Sequence, residues 1–166
     1  MCIRDRSFEN YRPISLLNTL YKIFASILHH RISSVIDPHL QKTQFGFRKH
    51  RSTSDAIHAI RRLMDYSEIT GRESIFLFLD WEKAFDKITH KALLHSLQRA
   101  QLPEKFLRII QCIYSEPQFF VSDDIATSNT LPQHTGIRQG CPLSPFLFLI
   151  VMHLSLIHIS EPTRPY

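Results

Sequence analysis

The stretch that most constrains this chain is residues 74–86, SIFLFLDWEKAFD. A continuous apolar run between polar residues is typical of a strand buried on both faces, and Asp80 stands where that strand should end. A carboxylate there is held in place and faces a cleft, and the aromatic ring of Phe85 follows shortly after. We expect a site for a metal and a flat or sugar-bearing substrate. Strand-end aspartates also occur in nucleotide switch proteins, phosphatases and receiver domains, and a capping or salt-bridged carboxylate is the alternative interpretation.

Length and composition bound the class of protein. A chain of 166 residues with 43% hydrophobic residues can bury one core, as one domain or part of a larger one. A net charge of +5 and a pI near 9.3 fit a nucleic-acid or nucleotide partner. Cys2, Cys112 and Cys141 lack metal-ligand spacing, which predicts a reduced, intracellular setting. The N-terminus does not resemble a signal peptide, and the short, interrupted apolar stretch 146–159 predicts a buried helix, so no membrane partner is expected.

The two ends of the chain look foreign to it. Residues 1–6, MCIRDR, can be encoded by a DNA word whose reverse complement encodes LSLIH, residues 154–158. That word resembles the transposase adapter used to prepare sequencing libraries. We therefore predict that residues 1–6 and 154–166 are translated adapter, that residues 7–153 are authentic, and that the native gene continued past residue 153.

Apolar residues at helical spacing predict five helices, which begin near residues 19, 52, 89, 103 and 144. Asn18 or Thr19 can cap the first, and Asp37-Pro38 should end it. The second has a start resembling a capping box at Ser52 and should stop at Gly71. Its predicted buried stripe consists of Ile57, Ile60, Leu63 and Met64.

Two polar stretches are candidates for binding. In residues 44–51, QFGFRKHR, the cations Arg48, Lys49 and Arg51 lie near a helix start, which suits an anion such as phosphate, although a solvated turn explains them as well. Residues 118–122 and 125–131 predict a hairpin around Asp123 and Asp124. These two carboxylates suggest a metal pair, but Ser-Asp-Asp is favoured turn chemistry, and we interpret them as a turn.

The last informative stretch is residues 135–148, TGIRQGCPLSPFLF. Gly136 and Gly140 permit close backbone approach, and Arg138 and Gln139 place directed donors between them. Such a turn can lie against a ligand, or it can be an ordinary glycine-rich turn before a core helix.

Four blocks in order, NYRPISLLN, QFGFRKHRSTSDA, FLFLDWEKAFD and GIRQGCPLSPFLF, resemble the successive blocks of reverse transcriptases, most closely the LINE-type (non-LTR) retrotransposon enzymes. Group II intron and retron enzymes share parts of the pattern. The resemblance implies an α+β right-hand polymerase fold, with fingers in residues 7–73 and a partial palm in 74–153 that makes an excursion toward the fingers over about 103–134. The family's [FY]xDD hairpin and thumb have no match here. Asp123 and Asp124 precede the Gly-Cys-Pro block, so we expect the hairpin beyond residue 153.

The same resemblance assigns roles within the third block. Asp80 matches the catalytic aspartate that binds two Mg²⁺ ions, with the Trp81 backbone carbonyl as an additional ligand. Phe85 matches the ring that closes off the space for a ribose 2′ hydroxyl. Asp86 matches a structural, hydrogen-bonding position near the site.

The resemblance also implies substrates and partners: an RNA template, a DNA primer and deoxynucleoside triphosphates, with action in the nucleus if the source is a eukaryotic retrotransposon. The predicted substrate-binding residues are Arg48, Lys49 and Arg51 at the triphosphate, and Gln139 and Gly140, with Arg138, beneath the nascent base pair. Without the [FY]xDD hairpin the 166-residue chain is expected to be inactive alone. Two alternatives remain: a group II intron maturase-like RNA-binding protein with the same fold, and a decayed retrotransposon copy without function.

Overall fold

A computed structural model describes residues 12–122 and 125–160, the side chains of residues 156–160 excepted. Within these residues the helices are α1 (Thr19–Ile36), α2 (Thr53–Thr70), α3 (Ala84–Lys87), α4 (His90–Arg99), α5 (Glu104–Ile113) and α6 (Ser144–Ser160). Strands β1 (Gln118–Phe119) and β2 (Leu131–Pro132) form one antiparallel pair. The described chain is therefore mixed, with much helix and little sheet.

Helix α1 begins and ends where the sequence predicts. The Asn18 side chain accepts a hydrogen bond from the Tyr21 amide at 2.7 Å, which satisfies one of the free N–H groups of the first turn. At the other end the chain tightens into a 3₁₀ turn over Asp37–His39, where Pro38 cannot continue an α-helix. The residues of α1 that are buried in the core are Ala25, Leu28, Ile32 and Ile36.

Helix α2 has the predicted ends but not the predicted burial. Ser52 and Asp55 form a reciprocal capping box, and Gly71 ends the helix in a left-handed conformation with φ +64°. The predicted buried stripe is wrong, because no residue of α2 is buried and Leu63 is 56% exposed. An apolar stripe becomes buried only where another element covers it. No described element covers this one.

The core lies between α1, α4, α5 and α6. Helices α4 and α6 make the most extensive contact between elements in the described chain. Burial of each aliphatic side chain stabilises the fold by about 1.5–3 kcal/mol relative to exposure. The packing of α6 in this core therefore fixes the position of the segment that leads into it. No helix of the described chain combines the length and apolar character needed to cross a membrane. Fully buried core residues include Ile32, Leu93, Leu97, Ile110, Ile137 and Leu147.

The predicted strand before Asp80 is absent, and that prediction is wrong for this structure. Residues 72–80 form no strand, and Ile75 and Phe78 are 94% and 76% exposed. A strand requires a neighbour for its backbone groups, and the described chain places none beside this segment. After it, Lys83 adopts φ +49° and leads into the single turn of α3, which the sequence did not predict.

The predicted helices α4 and α5 and the predicted hairpin are confirmed. Helix α4 is capped by Thr89, and α5 follows Pro103. The predicted hairpin is present but short: β1 pairs with β2 in the register Phe119↔Leu131, and a bridge joins Ser122 to Thr127. The turn predicted for Asp123 and Asp124 lies outside the described residues.

Candidate functional site

The turn of residues 136–140 is fastened by three hydrogen bonds to α3 and to the residue that follows it. The Gly136 amide donates to the Ile88 carbonyl at 2.7 Å, and the Ile137 amide donates to the Phe85 carbonyl at 2.9 Å. The Gln139 side-chain amide donates to a carboxylate oxygen of Asp86 at 2.8 Å. The structure thus brings together Phe85, Asp86 and Gln139, which the sequence predicts as parts of one site.

The other side of the turn lies against the N-terminal lead-in. The Ser15 amide donates to the Gln139 carbonyl at 2.8 Å, and Ile14 forms a parallel bridge with Gln139. Gly140 has φ +101°, and a Cβ there would lie 2.8 Å from the Ser15 carbonyl oxygen. A Cβ at Gly136, with φ +89°, would lie 3.1 Å from the Asp86 Cα. The Ser15 carbonyl leaves no room for a side chain at Gly140, and the positive φ of both glycines disfavours any other residue, in keeping with the close backbone approach that the sequence predicts.

The ring of Phe85 belongs to a cluster of three phenylalanines. It stacks on Phe148 of α6, with ring centroids 4.6 Å apart and an interplanar angle of 15°. Phe47 meets Phe85 edge-on, with centroids 6.0 Å apart at 85°. Sequence reasoning missed Phe47 and Phe148, because their only local signal is an aromatic side chain within a block already noted for its other residues.

Asp80 is exposed to solvent. Its carboxylate accepts a hydrogen bond from the Trp81 amide at 2.9 Å. The described residues include no group of three or more histidine, cysteine, aspartate or glutamate side chains placed to hold a metal ion. The Asp80 carboxylate and the Trp81 carbonyl are nonetheless oxygen donors of the kind that magnesium takes, so the chemistry of the donors fits while their number is small.

Arg48 faces the protein. Its guanidinium makes a two-point ion pair with Asp37, at 2.8 and 3.0 Å, and also donates to the carbonyls of Asp37, Gln41 and Gln44. Only 7% of its side chain is exposed. This geometry gives Arg48 a structural role, joining the end of α1 to the loop before α2.

The other two cations of this stretch are turned toward solvent. Lys49 and Arg51 are exposed, and the Arg51 guanidinium lies 5.9 Å from the centroid of the Phe45 ring. Of the three cations predicted to bind phosphate, these two are available to a ligand.

Arg138 also packs inward. Its guanidinium lies 5.4 Å from the Tyr21 ring centroid and 5.9 Å from that of Tyr114, and it donates to the Ile113 carbonyl at 3.4 Å. Burial is the main factor that raises the pKa of both tyrosines, so both hydroxyls stay protonated near neutral pH. Arg138 thus holds the turn of residues 136–140 to α1 and α5, while Gln139 is the side chain directed at α3.

Comparison with known proteins identifies the family. The family model described as "Reverse transcriptase (RNA-dependent DNA polymerase)" matches residues 3–163. Such a match implies a polymerase palm-and-fingers fold, in keeping with the mixture of helix and sheet described above.

Three relatives carry this comparison further. The chain is 33% identical to the transposon TX1 uncharacterized 149 kDa protein of Xenopus laevis over 95% of its length. Over 86% of the present chain, it is 31% identical to the RNA-directed DNA polymerase from mobile element jockey of Drosophila melanogaster. Over 87% of the present chain, it is 30% identical to the retrovirus-related Pol polyprotein from type-2 retrotransposable element R2DM of the same organism. The chain spans only 13%, 16% and 13% of these relatives' lengths, respectively. The chain therefore belongs to the reverse transcriptase family, and its resemblance to the enzymes of LINE-type (non-LTR) retrotransposons is confirmed.

Proposed function

We propose that this chain is the fingers and part of the palm of an RNA-directed DNA polymerase, which extends a DNA primer along an RNA template. The observation that carries the proposal is the fastening of the 136–140 turn to α3, with Gln139 bonded to Asp86 at 2.8 Å. This contact unites two sequence blocks that are 53 residues apart. A ring, a carboxylate and an oriented amide then form one surface, which suits the edge of a nucleotide pocket.

Each side chain on this surface has a distinct proposed role. Phe85 excludes the 2′ hydroxyl of a ribonucleotide by occupying the space that hydroxyl needs. Asp86 accepts the hydrogen bond from Gln139 and so fixes the direction of its amide beneath the nascent base pair, beside Gly140. Lys49 and Arg51, exposed in the loop before α2, supply positive charge for the incoming triphosphate.

The proposed metal ligands in this chain are the Asp80 carboxylate and the Trp81 carbonyl. Two bound magnesium ions would activate the primer 3′ hydroxyl and stabilise the departing pyrophosphate. The exposure of Asp80 leaves its second carboxylate oxygen open to a ligand, since only the first accepts the Trp81 amide. We propose that the other carboxylates come from an [FY]xDD hairpin encoded after residue 153.

Primer extension by a longer form of the polymerase, one that includes the hairpin, tests this proposal. Asp80→Asn removes a charged ligand and should lower extension on an RNA template by roughly a thousandfold, about 4 kcal/mol of transition-state stabilisation. Glu82→Gln is the matched control. Glu82 is two positions after Asp80 in the sequence, and its exposed carboxylate pairs with Lys87 at 2.7 Å. Removing the charge of Glu82 should therefore leave extension unchanged. Full activity in Asp80→Asn would refute the assignment.

Two other results would decide between the proposal and its alternatives. The 166-residue chain alone should not extend a primer, because it offers Asp80 without the other carboxylates. Extension by it would contradict the two-metal arrangement proposed here. Tight RNA binding by the longer form with no extension in the presence of magnesium and deoxynucleotides would indicate a maturase-like protein instead. If the longer form neither binds RNA nor extends a primer, the chain would be a decayed copy.

A further inference from the structure

The phenylalanine cluster, defined as Phe47, Phe85 and Phe148, joins three separate parts of the chain. Phe47 lies in the loop before α2, Phe85 in α3 and Phe148 in α6. The three rings are in mutual contact, with centroid separations of 4.6, 6.0 and 6.3 Å. These distances fall within the range in which aromatic pairs attract one another beyond the burial of their area.

Phe148 and Phe47 contact the Phe85 ring from different directions. Phe148 lies nearly parallel to the Phe85 ring, at 15°, and covers one of its faces. Phe47 stands almost perpendicular to both rings, at 85° to Phe85 and 90° to Phe148. A stacked ring limits movement along its normal, and an edge-on ring limits sliding in its plane. Together they define one position for the Phe85 side chain.

Phe47 keeps its place in the cluster at a conformational cost. Its φ of +58° lies in the left-handed region that bulky residues rarely adopt. Phe47 is also 53% exposed, so burial in the core does not account for its position. Residues held in such backbone conformations concentrate at functional sites, where the surrounding structure fixes them for a purpose. The contacts that Phe47 gains are those with Phe85 and Phe148, and Arg48 anchors the next position along the loop through Asp37.

We propose that Phe148 and Phe47 are positioning residues that fix the Phe85 ring, and that they thereby set how strongly the polymerase prefers deoxyribose over ribose. The inference rests on the proposed function, in which Phe85 excludes the 2′ hydroxyl. The two sugars differ by one oxygen atom, so the exclusion depends on where the ring edge lies. A displacement of about 1 Å at a reacting site can change a rate by roughly a hundredfold.

The test measures the ratio of kcat/KM for a deoxynucleotide to that for the matching ribonucleotide, in the longer form of the polymerase. Phe148→Leu keeps an apolar side chain but removes the stacked face, and it should lower this ratio about tenfold, which is about 1.4 kcal/mol. Phe148→Tyr retains the aromatic ring, so this variant should keep most of the sugar preference of the unmodified polymerase. Phe47→Gly should lower the ratio as well, and because glycine accepts φ +58° without strain, the loop should keep its path.

Phe146→Leu is the matched control for Phe148→Leu. Phe146 lies on the same helix, is 2% exposed and packs edge-on against His29, with centroids 5.3 Å apart. The same substitution there removes more buried surface without touching the cluster. It should lower the melting temperature more than Phe148→Leu does, yet leave the sugar ratio unchanged. An equal fall of the ratio in Phe146→Leu would show a general structural effect and would overturn the inference.

Phe85→Ala separates the inference from the function on which it rests. If Phe85→Ala lowers the ratio while Phe148→Leu and Phe47→Gly leave it unchanged, the positioning role is wrong and the gate assignment stands. If Phe85→Ala leaves the ratio unchanged, the gate assignment fails and the inference fails with it. Where Phe148→Leu does not fold, Phe47→Gly decides, because its partly exposed side chain contributes little to the core.

Discussion

Replacing Arg48 should destabilise the fold rather than weaken nucleotide binding. The guanidinium makes five hydrogen bonds: two to the Asp37 carboxylate, one to the Asp37 carbonyl, and one each to the carbonyls of Gln41 and Gln44. Lysine would keep the charge but lose the planar fork that matches a carboxylate at two points. Alanine would remove the charge and both hydrogen bonds to the Asp37 carboxylate, while the carbonyls of Asp37 and Gln41 would keep the backbone amides of Leu40 and Gln44 as donors.

The size of the effect follows from the exposure of the two partners. The side chain of Arg48 is 7% exposed and that of Asp37 is 39% exposed, so water can replace part of what Asp37 loses. A hydrogen bond to a charged group contributes about 1.5–3 kcal/mol, and the partial exposure of Asp37 favours the lower value for each of its bonds. We expect Arg48→Ala to cost about 3 kcal/mol and Arg48→Lys about 1.5 kcal/mol. For a chain of this size these values correspond to losses of roughly 6–12 °C and 3–6 °C in Tm, respectively.

Thermal unfolding of this chain measures the effect, with Arg62→Ala as the control. Arg62 pairs with Asp65 at 3.4 Å, but both side chains are more than half exposed, at 70% and 54%. Such a pair contributes at most about 1 kcal/mol, so this change should shift Tm only slightly. An Arg48→Lys protein with an unchanged Tm, combined in the longer polymerase with a raised KM for the nucleotide, would refute the structural role. Arg48 would then be a triphosphate ligand, as the sequence alone suggests.

Three further predictions use the same chain. The hydrogen bond from Arg48 is the main factor that lowers the pKa of Asp37 below its ordinary 3.8, so the stabilising effect of this carboxylate should be complete above pH 3.8 and fade as the pH falls further; a Tm difference between the wild type and Asp37→Asn that persists undiminished in strong acid would contradict this. Gly140→Ala should destabilise by about 2 kcal/mol or more in denaturant titration, because of its φ of +101° and the Ser15 carbonyl 2.8 Å from the new Cβ, whereas Gly46→Ala, whose nearest neighbour is at 3.6 Å, should have a small effect. Deleting residues 1–6 should change the unfolding free energy by no more than about 0.5 kcal/mol, and a marked loss of Tm would show that they are not foreign adapter sequence.

Local hydrogen bonding explains why the helix ends could be predicted. The caps at Asn18, Ser52 and Thr89 bond to backbone groups within three residues, so the sequence alone contains both partners. Gly71 likewise ends α2 through its own backbone conformation. These helix ends therefore depend on the local sequence and not on the packing of distant elements.

The sequence predicted which residues belong to the site but not which way their side chains point. Arg48 and Arg138 carry the charge expected of phosphate or base contacts, yet both donate to carbonyls of the protein itself. Sequence cannot say whether a guanidinium faces a ligand or a neighbouring loop, because both offer oxygen acceptors. The contact between Gln139 and Asp86 joins residues 53 positions apart, and only the packing of the 136–140 turn against α3 brings them together.

The two wrong predictions of burial have one physical cause. The stripe of α2 and the apolar segment of residues 75–79 flank the turn at Gly71, and in both the apolar side chains remain exposed. A helix stripe and a strand with two apolar faces each need a partner distant in sequence, unlike a cap or a turn. The [FY]xDD hairpin proposed for the longer polymerase would be such a partner for the segment of residues 75–79. Asp80 directly follows this uncovered segment and is exposed, whereas the Gln139 side chain is tied to Asp86 by a hydrogen bond and the Phe85 ring stacks on Phe148 of α6.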